Sequence, residues 1–258
     1  MRFLFSGTAC PVFLLYLFRI CLGNEQSTER RFALFLSLLW KSQKIVMKID
    51  DIRKEYKKGR LLQCAVAPGP ESLFEQWLEE AVGAGITEPT AMVLATVSEE
   101  GYPSARTVLL KEFKDGKFIF FTNYESRKGI QLAHNAHVAI TFPWYQQERQ
   151  VQVEGIAVKL SETESEAYFN SRPYESRIAA VVSSQSRPIK SRRELLKKFA
   201  EAKIRYRESV PEKPIYWGGY AVTPVRVEFW QGGEHRLHDR ILYTLQPDGK
   251  WKRERLAP

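Results

Sequence analysis

The fold class can be predicted from residues 90–123, which read TAMVLATVSEEGYPSARTVLLKEFKDGKFIFFTN. This stretch holds three runs rich in Val, Thr, Ile and Phe, at 90–98, 102–113 and 117–123. Residues of these types favour β-strands. The pairs Glu100-Gly101 and Asp115-Gly116, which separate the runs, favour hairpin turns. Consecutive strands joined by such turns pair with each other, so the sequence predicts an antiparallel sheet.

The rest of the chain extends this pattern in both directions. Further strands are predicted at 137–145, 148–160, 216–232, 235–247 and 250–258. Helices are predicted at 49–58, 71–84, 126–135, 162–171 and 191–206, with one more within 171–189. Ser161-x-x-Glu164 and Ser191-x-x-Glu194 are capping boxes that would open two of them. Because helices do not alternate regularly with the strands, we predict a mainly β (α+β) fold, an antiparallel barrel with flanking helices.

The first 46 residues are more apolar than the remainder, and nothing after Met47 resembles them. A signal peptide cleaved near Gly23 and a single membrane anchor interrupted by Arg19 are two open interpretations. We favour a third, in which the functional chain starts at Met47 and the preceding stretch is an extension of the gene model. We therefore expect an apolar extension over 1–46 and one domain, without a membrane segment, over 47–258.

Composition is that of a globular protein, because 44% of the 258 residues are hydrophobic and 27% are charged. Disordered and collagen-like chains are excluded on that ground. The formal charge is +9, but the first 46 residues hold six basic and two acidic residues and so carry +4 of it. The body contains Cys64 as its single cysteine, which excludes an internal disulfide there. We expect a cytoplasmic protein with anionic ligands.

Common catalytic and binding motifs are missing from the sequence. It has no P-loop, no G-x-G-x-x-G after a strand, no G-x-S-x-G and no H-E-x-x-H. His235 and His238 are three residues apart, which on the predicted strand would direct their rings to opposite faces, so we expect no metal site. The basic residues are not gathered in one stripe and no nucleic-acid-binding motif is present, so we expect no nucleic-acid partner.

Polar residues within apolar strands are the informative feature of the body. Arg236, His238 and Arg240 alternate along the predicted strand 235–247, so all three would face one way. Such a face is difficult to bury without an anionic ligand. Guanidinium groups match phosphate oxygens, and the start of a helix, as at Arg127 and Lys128, adds N–H donors. The basic clusters at 106–128 and 168–176 would suit two phosphates.

Seven segments of the body closely resemble the pyridoxine/pyridoxamine 5'-phosphate oxidase family. They are RTVLLK (106–111), FFTNYESRKG (120–129), FPWYQQERQVQVEG (142–155), YFNSRPYESRIAA (168–180), SSQS (183–186), VEFWQGGEHRLHDR (227–240) and RLAP (255–258). FWQGGEHRLHDR is the most specific of these, and the resemblance runs from about Ile49 to Pro258. It implies a split β-barrel of antiparallel Greek-key type and a homodimer with FMN at the subunit interface.

The resemblance also implies an activity. The family oxidises pyridoxine 5'-phosphate or pyridoxamine 5'-phosphate to pyridoxal 5'-phosphate, in vitamin B6 biosynthesis and salvage. A hydride would pass from the substrate C4' carbon to flavin N5. Oxygen would take the electrons and yield H2O2, and the amine substrate would also release NH3.

The same resemblance assigns residues to the site. FMN would be bound by Arg106, Thr107, Val108, Leu109, Leu110, Lys111, Phe121, Thr122, Arg127, Lys128, Gln150, Gln185, Ser186, Trp230 and Arg240. Substrate would be bound by Arg53, Tyr56, Lys111, Tyr168, Arg172, Ser176, Arg236, Leu237 and His238. Arg236 and His238 would lie nearest the reacting carbon, with His238 either accepting a proton or positioning substrate. Phe121 departs from the tyrosine of some members, so one side-chain hydrogen bond to FMN is not expected.

Two other functions stay open from the sequence. One is a different split-barrel flavoprotein such as a flavin reductase, against which the substrate-side set of residues argues. The other is a protein that binds flavin or a B6 vitamer without catalysis. The visible spectrum of the protein and turnover of pyridoxine 5'-phosphate would separate the three.

Overall fold

The hairpins expected within 90–123 are present in the computed structural model, which describes residues 55–61 and 67–258. They form β1 (Ala91–Val97), β2 (Pro103–Leu109), β3 (Glu112–Lys114) and β4 (Lys117–Asn123). The single strand predicted over 102–113 is wrong, because the chain changes partner between Leu110 and Lys111. Leu110 donates its N–H to the Thr90 carbonyl beside β1, whereas Lys111 donates to the Ile119 carbonyl of β4, both at 2.8 Å.

Later strands complete a sheet of nine among the described residues. These are β5 (His137–Trp144), β6 (Arg149–Lys159), β7 (Trp217–Gln231), β8 (Asp239–Leu245) and β9 (Trp251–Leu256). The order is β2-β1-β5-β6-β7-β4-β3, with β8 paired to β7 and β9 paired to β8. Every pairing in this part of the chain is antiparallel, as predicted.

Strand β7 is the longest element, at 15 residues, and it organises the sheet. One of its edges pairs with β6 along nearly its whole length. The other edge is shared, since Trp217–Val222 pair with β4 and Arg226–Gln231 pair with β8. The two ends of β7 therefore support two different groups of strands.

Helices lie outside the sheet, mostly where the sequence predicts them. They are α1 (Pro70–Gly83), α2 (Arg127–His134), α3 (Glu162–Ser171), α4 (Tyr174–Val182) and α5 (Arg192–Arg205). The capping box at the start of α3 is confirmed, with both Ser161 and Glu164 making their reciprocal bonds. At α5 only the Ser191 half is confirmed, because the Glu194 carboxylate instead pairs with Lys198 at 3.0 Å.

The core is built from aromatic side chains between α1 and the concave face of the sheet. Phe74 of α1 lies 4.8 Å from Phe118 and 5.1 Å from Phe142, measured between ring centroids. Trp77, one turn further along α1, contacts Phe229 at 5.2 Å. Burial of side chains this large contributes about 1.5–3 kcal/mol each, so α1 holds β4, β5 and β7 in one unit.

The strand predicted over 235–247 begins late, which corrects the placement of two candidate residues. Residues Glu234–Arg236 form a 3₁₀ turn, and β8 starts only at Asp239. His235 and Arg236 have φ values of 53° and 63°, in the left-handed region, so the chain cannot be extended there. The prediction that Arg236, His238 and Arg240 share one strand face is therefore wrong, and Arg240 alone lies on the strand.

Several expectations lie outside the described residues. These are the extension 1–46, Arg53, Cys64 and the first part of the helix predicted over 49–58. Residues 55–58 are described and are not helical, so that part of the prediction is wrong. Among the described residues, no helix combines the length and hydropathy needed to cross a membrane.

Candidate functional site

Three of the predicted cofactor-binding cations meet where β2 passes the start of α2. Arg106 lies on β2, while Arg127 and Lys128 are the first two residues of α2. The fully buried Ser126 caps this helix, accepting the Gly129 N–H at 3.3 Å and donating to the Asn123 carbonyl at 2.6 Å. No carboxylate of the described residues forms an ion pair with any of the three cations.

Arg106 is fixed by neutral oxygens. Its guanidinium donates to Thr96 Oγ1 at 2.5 Å, to Ser104 Oγ at 2.6 Å and to the Leu94 carbonyl at 3.2 Å. The Thr96 and Ser104 hydroxyls in turn donate to Gln131 Oε1, at 2.6 and 2.9 Å. Burial, together with the charge of Arg127, lowers the pKa of Arg106. The side chain is thus oriented by a polar network that leaves its charge uncompensated.

Lys128 joins the same group through Thr122 and Gln185. Its Nζ lies 3.1 Å from Thr122 Oγ1 and 2.8 Å from Gln185 Oε1. Burial, with a smaller contribution from the charge of Arg106, lowers the pKa of Lys128 to about 8. A half-buried lysine without a carboxylate partner favours a negatively charged ligand, since such a ligand would restore the protonated form.

A cleft of about 510 Å³ opens beside this cluster. Its lining includes Arg127 and Gln131 of α2 together with Ser186 and Arg187 of the loop after α4. Ser186 has φ of 68°, which turns the loop at this point. Two of the predicted FMN residues, Arg127 and Ser186, therefore line one cavity.

An aromatic stack connects β4 to the predicted substrate residues on α3. The Phe121 ring lies 3.8 Å from the Tyr168 ring at an interplanar angle of 16°, and Trp217 extends the stack at 5.5 Å from Phe121. Arg172, which ends α3, places its guanidinium carbon 4.9 Å from the Trp217 ring. Arg172 Nη1 is buried and has no hydrogen-bond partner among the described residues. Burial lowers the pKa of Arg172.

His238 belongs to a second group, at the opposite end of β7. Its ring lies 4.7 Å from Trp230 and 5.6 Å from Tyr56. The Gly233 N–H donates to His238 Nδ1 at 3.2 Å. A neutral imidazole that accepts at Nδ1 carries its proton on Nε2. Burial, and the charge of Arg236, lower the pKa of His238 and so favour this neutral form.

Arg240 and Arg236 differ in their surroundings. Arg240 makes a two-pronged ion pair with Glu228, at 2.8 and 3.0 Å, and donates to the Ala257 carbonyl at 2.9 Å. Its charge is therefore already compensated, unlike that of Arg106. Arg236 and Leu237 are exposed on the turn before β8.

The remaining predicted residues are placed as follows. Val108, Leu109, Gln150 and Ser176 are half-buried, Leu110 is buried, and Thr107 and Lys111 are exposed. Gln150 pairs with Trp230 across β6 and β7, so it lies at the His238 end of the sheet.

Residues that hold the site in place were missed from the sequence. Gln131 is one, although its position four residues after Arg127 on a helix puts both on the same face, which could have indicated it. Trp217 is another, because an isolated tryptophan on a strand is ordinarily a core residue. Glu228, the partner of Arg240, is a third. It lies on β7, next to β8, and only the register of these two strands would have predicted the pair.

The two groups lie at opposite ends of β7. Trp217, beside Tyr168 and Arg172, is the first residue of β7, and Trp230, beside His238, is the fourteenth. At the usual rise of a β-strand, thirteen steps span roughly 40 Å. The predicted site residues therefore fall into two groups that are well separated along one strand.

Comparison with protein-family models gives two matches. One model, described as pyridoxamine 5'-phosphate oxidase, matches residues 78–206, and another, described as pyridoxine 5'-phosphate oxidase C-terminal dimerisation region, matches residues 217–258. A Bacteroides fragilis protein named pyridoxine/pyridoxamine 5'-phosphate oxidase is 57% identical over 207 residues, which cover 80% of this chain and 88% of the relative. A Bacteroides thetaiotaomicron protein of the same name is 55% identical over 210 residues, covering 81% and 99%.

Solved structures agree on the fold. PhzG from Burkholderia lata 383, in complex with tetrahydrophenazine-1-carboxylic acid, is similar with a TM-score of 0.73 and 28% identity over 78% of this chain and all of that chain. A pyridoxamine 5'-phosphate oxidase-related, FMN-binding protein of Nostoc punctiforme PCC 73102 has a TM-score of 0.60 at 19% identity, covering 75% and 99%. The predicted fold, a mainly β split barrel with flanking helices, is confirmed.

Proposed function

The chain belongs to the pyridoxine/pyridoxamine 5'-phosphate oxidase family of oxidoreductases, and we propose that it uses FMN and O2 to make pyridoxal 5'-phosphate. Pyridoxine 5'-phosphate and O2 would give pyridoxal 5'-phosphate and H2O2. Pyridoxamine 5'-phosphate would also consume water and release NH3. Location in the cytoplasm stays a prediction.

The observation that carries this proposal is the uncompensated cation cluster. Arg106, Arg127 and Lys128 lack carboxylate partners among the described residues, and the pKa of Lys128 is lowered to about 8. A phosphate would neutralise this group and accept its N–H donors at the start of α2. The donor set therefore fits the phosphate of FMN, which Arg106, Arg127 and Lys128 would hold together with Thr122, Gln185 and Ser186.

The substrate phosphate has a separate candidate site. Arg172 Nη1 is buried without a partner, next to the hydroxyl-bearing ring of Tyr168 and close in sequence to Ser176. A buried donor left unpaired is costly, so a ligand that accepts from it would be strongly favoured. We assign the substrate phosphate to Arg172, Tyr168 and Ser176, with Lys111 as a further cation.

Assembly of the complete site requires two chains. The match to a dimerisation region covers residues 217–258, which contain β7, β8 and β9. The distance between the ends of β7 supports a homodimer in which one chain supplies Arg106, Lys128 and Arg172 and its partner supplies Trp230, Arg236 and His238. FMN would then lie at the subunit interface.

The residues at the His238 end would orient the reacting carbon. When bound, FMN would supply the redox chemistry, accepting a hydride from C4' at N5 and passing the electrons to O2. Because His238 Nδ1 already accepts the Gly233 N–H, Nε2 carries the proton of the neutral ring and is a donor rather than a base. We therefore propose that His238 positions substrate, with the exposed Arg236 as its charged neighbour.

The test is spectroscopic and enzymatic. The purified full chain should be yellow or take up added FMN, and with pyridoxine 5'-phosphate in air it should form pyridoxal 5'-phosphate and an equal amount of H2O2. Protein that cannot take up FMN would contradict the proposal that the chain uses this cofactor. Protein that binds FMN but leaves pyridoxine 5'-phosphate unchanged would indicate a flavin binder or a flavin reductase instead.

A further inference from the structure

Residues 55–61, here called the N-terminal segment, are tied to the rest of the molecule by a buried carboxylate. Glu148 Oε2 accepts the backbone N–H groups of Lys57 and Lys58, at 2.8 and 3.0 Å. Lys58 Nζ donates to the Gln146 carbonyl at 2.7 Å. These bonds join the segment to the turn between β5 and β6, about 90 residues away in the chain.

A second attachment holds the other end of the segment. Leu61 donates its N–H to Asp239 Oδ2 at 2.8 Å, and Arg255 Nη2 donates to the Leu61 carbonyl at 2.8 Å. Arg255 also pairs with Asp239, at 2.5 Å. The segment is therefore held at Lys57 and Lys58 by the turn between β5 and β6, and at Leu61 by side chains of β8 and β9.

Tyr56 lies directly before the Glu148 attachment and contacts the candidate site. Its ring is 5.5 Å from Trp230 and 5.6 Å from His238, edge-on to both. The placement depends on Gly232, since a Cβ there would lie 2.7 Å from Tyr56 Cγ. A small shift of the segment would therefore move Tyr56 away from His238.

Glu148 is an unusual residue for its position. It is 3% exposed, and it has φ of 56° and ψ of 38°, in the left-handed region that glycine adopts more easily. Its own carbonyl accepts the Gly232 N–H at 2.7 Å. Both the burial of a carboxylate and the left-handed backbone cost free energy. Glycine would avoid both costs, but it could not accept the two N–H groups that the Glu148 carboxylate accepts.

We propose that Glu148 is a positioning residue, which holds Lys57 and Lys58 so that Tyr56 lies against His238 and Trp230. In this proposal Glu148 acts through the segment, by way of its bonds to the Lys57 and Lys58 N–H groups. Its effect on catalysis rests on the proposed function, whereas its effect on the segment does not.

Limited proteolysis tests the attachment without any need for activity. Trypsin cleaves after Lys57, Lys58 and Arg60 only when the segment opens. In the full-length, FMN-loaded protein, Glu148→Gln should speed cleavage at these sites by about tenfold, because the oxygen that accepts both N–H groups loses its charge and the two hydrogen bonds weaken. Glu154→Gln is the matched control, since Glu154 lies on β6 and its pairing with Arg226 is exposed; it should leave the cleavage rate unchanged.

Kinetics test the route through Tyr56. Glu148→Gln should raise KM for pyridoxine 5'-phosphate while kcat and the FMN content stay close to those of the parent. In a Tyr56→Ala background the same substitution should change KM no further, because the positioned ring is already gone. A structural defect would lower FMN content and thermal stability in both backgrounds.

Three results would overturn the inference. One is a Glu148→Gln protein as resistant to trypsin as its parent, another is an equal effect of Glu154→Gln, and a third is a further rise of KM in the Tyr56→Ala background. If Glu148→Gln does not fold, Lys57→Pro removes one donor without changing the carboxylate, and cleavage after Lys58 and Arg60 is then measured. If no variant, parent included, shows turnover, the proposed function fails while the trypsin result still decides the attachment.

Discussion

Lys128 is the residue whose environment most directly suggests an anionic ligand. Its ammonium group is held by Thr122 and Gln185 oxygens and repelled by Arg106. Burial and that repulsion lower its pKa to about 8, below that of a free lysine. In the ligand-free protein the ammonium form is disfavoured, so this group destabilises the fold below pH 8 and the penalty is relieved as pH rises above it.

Binding of FMN should therefore weaken above pH 8. The flavin phosphate is mostly a dianion at pH 7, so affinity should begin to fall as the pH approaches 8 and then decline by up to about tenfold per pH unit as Lys128 loses its proton. Quenching of flavin fluorescence measures the dissociation constant at each pH. Lys128→Arg is the control, because arginine keeps its charge and should abolish the decline; an equal decline in that variant would assign it to another group.

Arg172 should matter for substrate rather than for cofactor. Arg172→Ala is expected to raise KM for pyridoxine 5'-phosphate by about 10- to 100-fold, since a charged hydrogen bond to the substrate phosphate is lost. FMN content should stay near that of the parent. Arg172→Lys should restore only part of the affinity, because an ammonium cannot bind two oxygens in one plane. Loss of FMN in parallel with KM would show that Arg172 belongs to the cofactor.

Cations could be predicted from the sequence more readily than the groups that orient them. The sequence itself shows these cations, because they interrupt or follow apolar runs, as Arg106, Arg127 and Lys128 do. Gln131 and Glu148 are also polar and buried, but their partners lie 25 to 91 residues away. Such long-range pairs depend on strand register and on turns, which residue spacing does not determine.

At the scale of elements, hairpins and helix starts were predictable and the turn before β8 was not. Glu100-Gly101, Asp115-Gly116 and Ser161-x-x-Glu164 form the turns and cap expected of them. Arg236, His238 and Arg240 stand at every second position, as residues on one face of a strand would. The turn is decided by Gly233, where a Cβ would lie 2.3 Å from the Leu237 carbonyl oxygen, and by left-handed His235 and Arg236. Alternation carries no signal for that geometry.

Helix α2 is the element on which cofactor binding should depend. Ser126→Ala removes its N-cap and the bond to the Asn123 carbonyl, and should cost about 1–2 kcal/mol of unfolding free energy. It should also weaken FMN binding, since Arg127 and Lys128 start that helix. Urea denaturation and flavin fluorescence measure the two effects.

Ser191→Ala is the matched control for that prediction. Ser191 caps α5 in the same way, accepting the Glu194 N–H at 3.2 Å, but α5 carries none of the predicted FMN residues. We expect a loss of stability of similar order with FMN affinity unchanged. Weakened FMN binding in this variant would mean that the effect of Ser126→Ala reflects general destabilisation.

At the scale of the whole molecule, β7 separates the candidate site into two halves. Its first residues pair with β4 and lie beside Tyr168 and Arg172, while its last residues pair with β8 and lie beside His238. Thirteen residue steps along the strand, or roughly 40 Å, separate the two ends, and this separation favours the proposed site in which each half comes from a different chain. The sequence resemblance implied a dimer, and the length and pairing of β7 add a physical argument for the same proposal.

Mixed dimers test this division of the site. At pyridoxine 5'-phosphate concentrations below the parent KM, Arg172→Ala and Arg236→Ala should each reduce turnover strongly, because each homodimer lacks the same half in both of its sites. When both variants are expressed together, random pairing makes half of the dimers mixed, and each mixed dimer contains one unaltered site. Turnover should then recover to about a quarter of the parent value.

Two tagged chains, purified in sequence, isolate the mixed dimer, which should show about half of the parent turnover. Mixed dimers no more active than the two variants alone would place Arg172 and Arg236 in one chain's site, and would contradict the two-chain arrangement even if the protein proved to be a dimer.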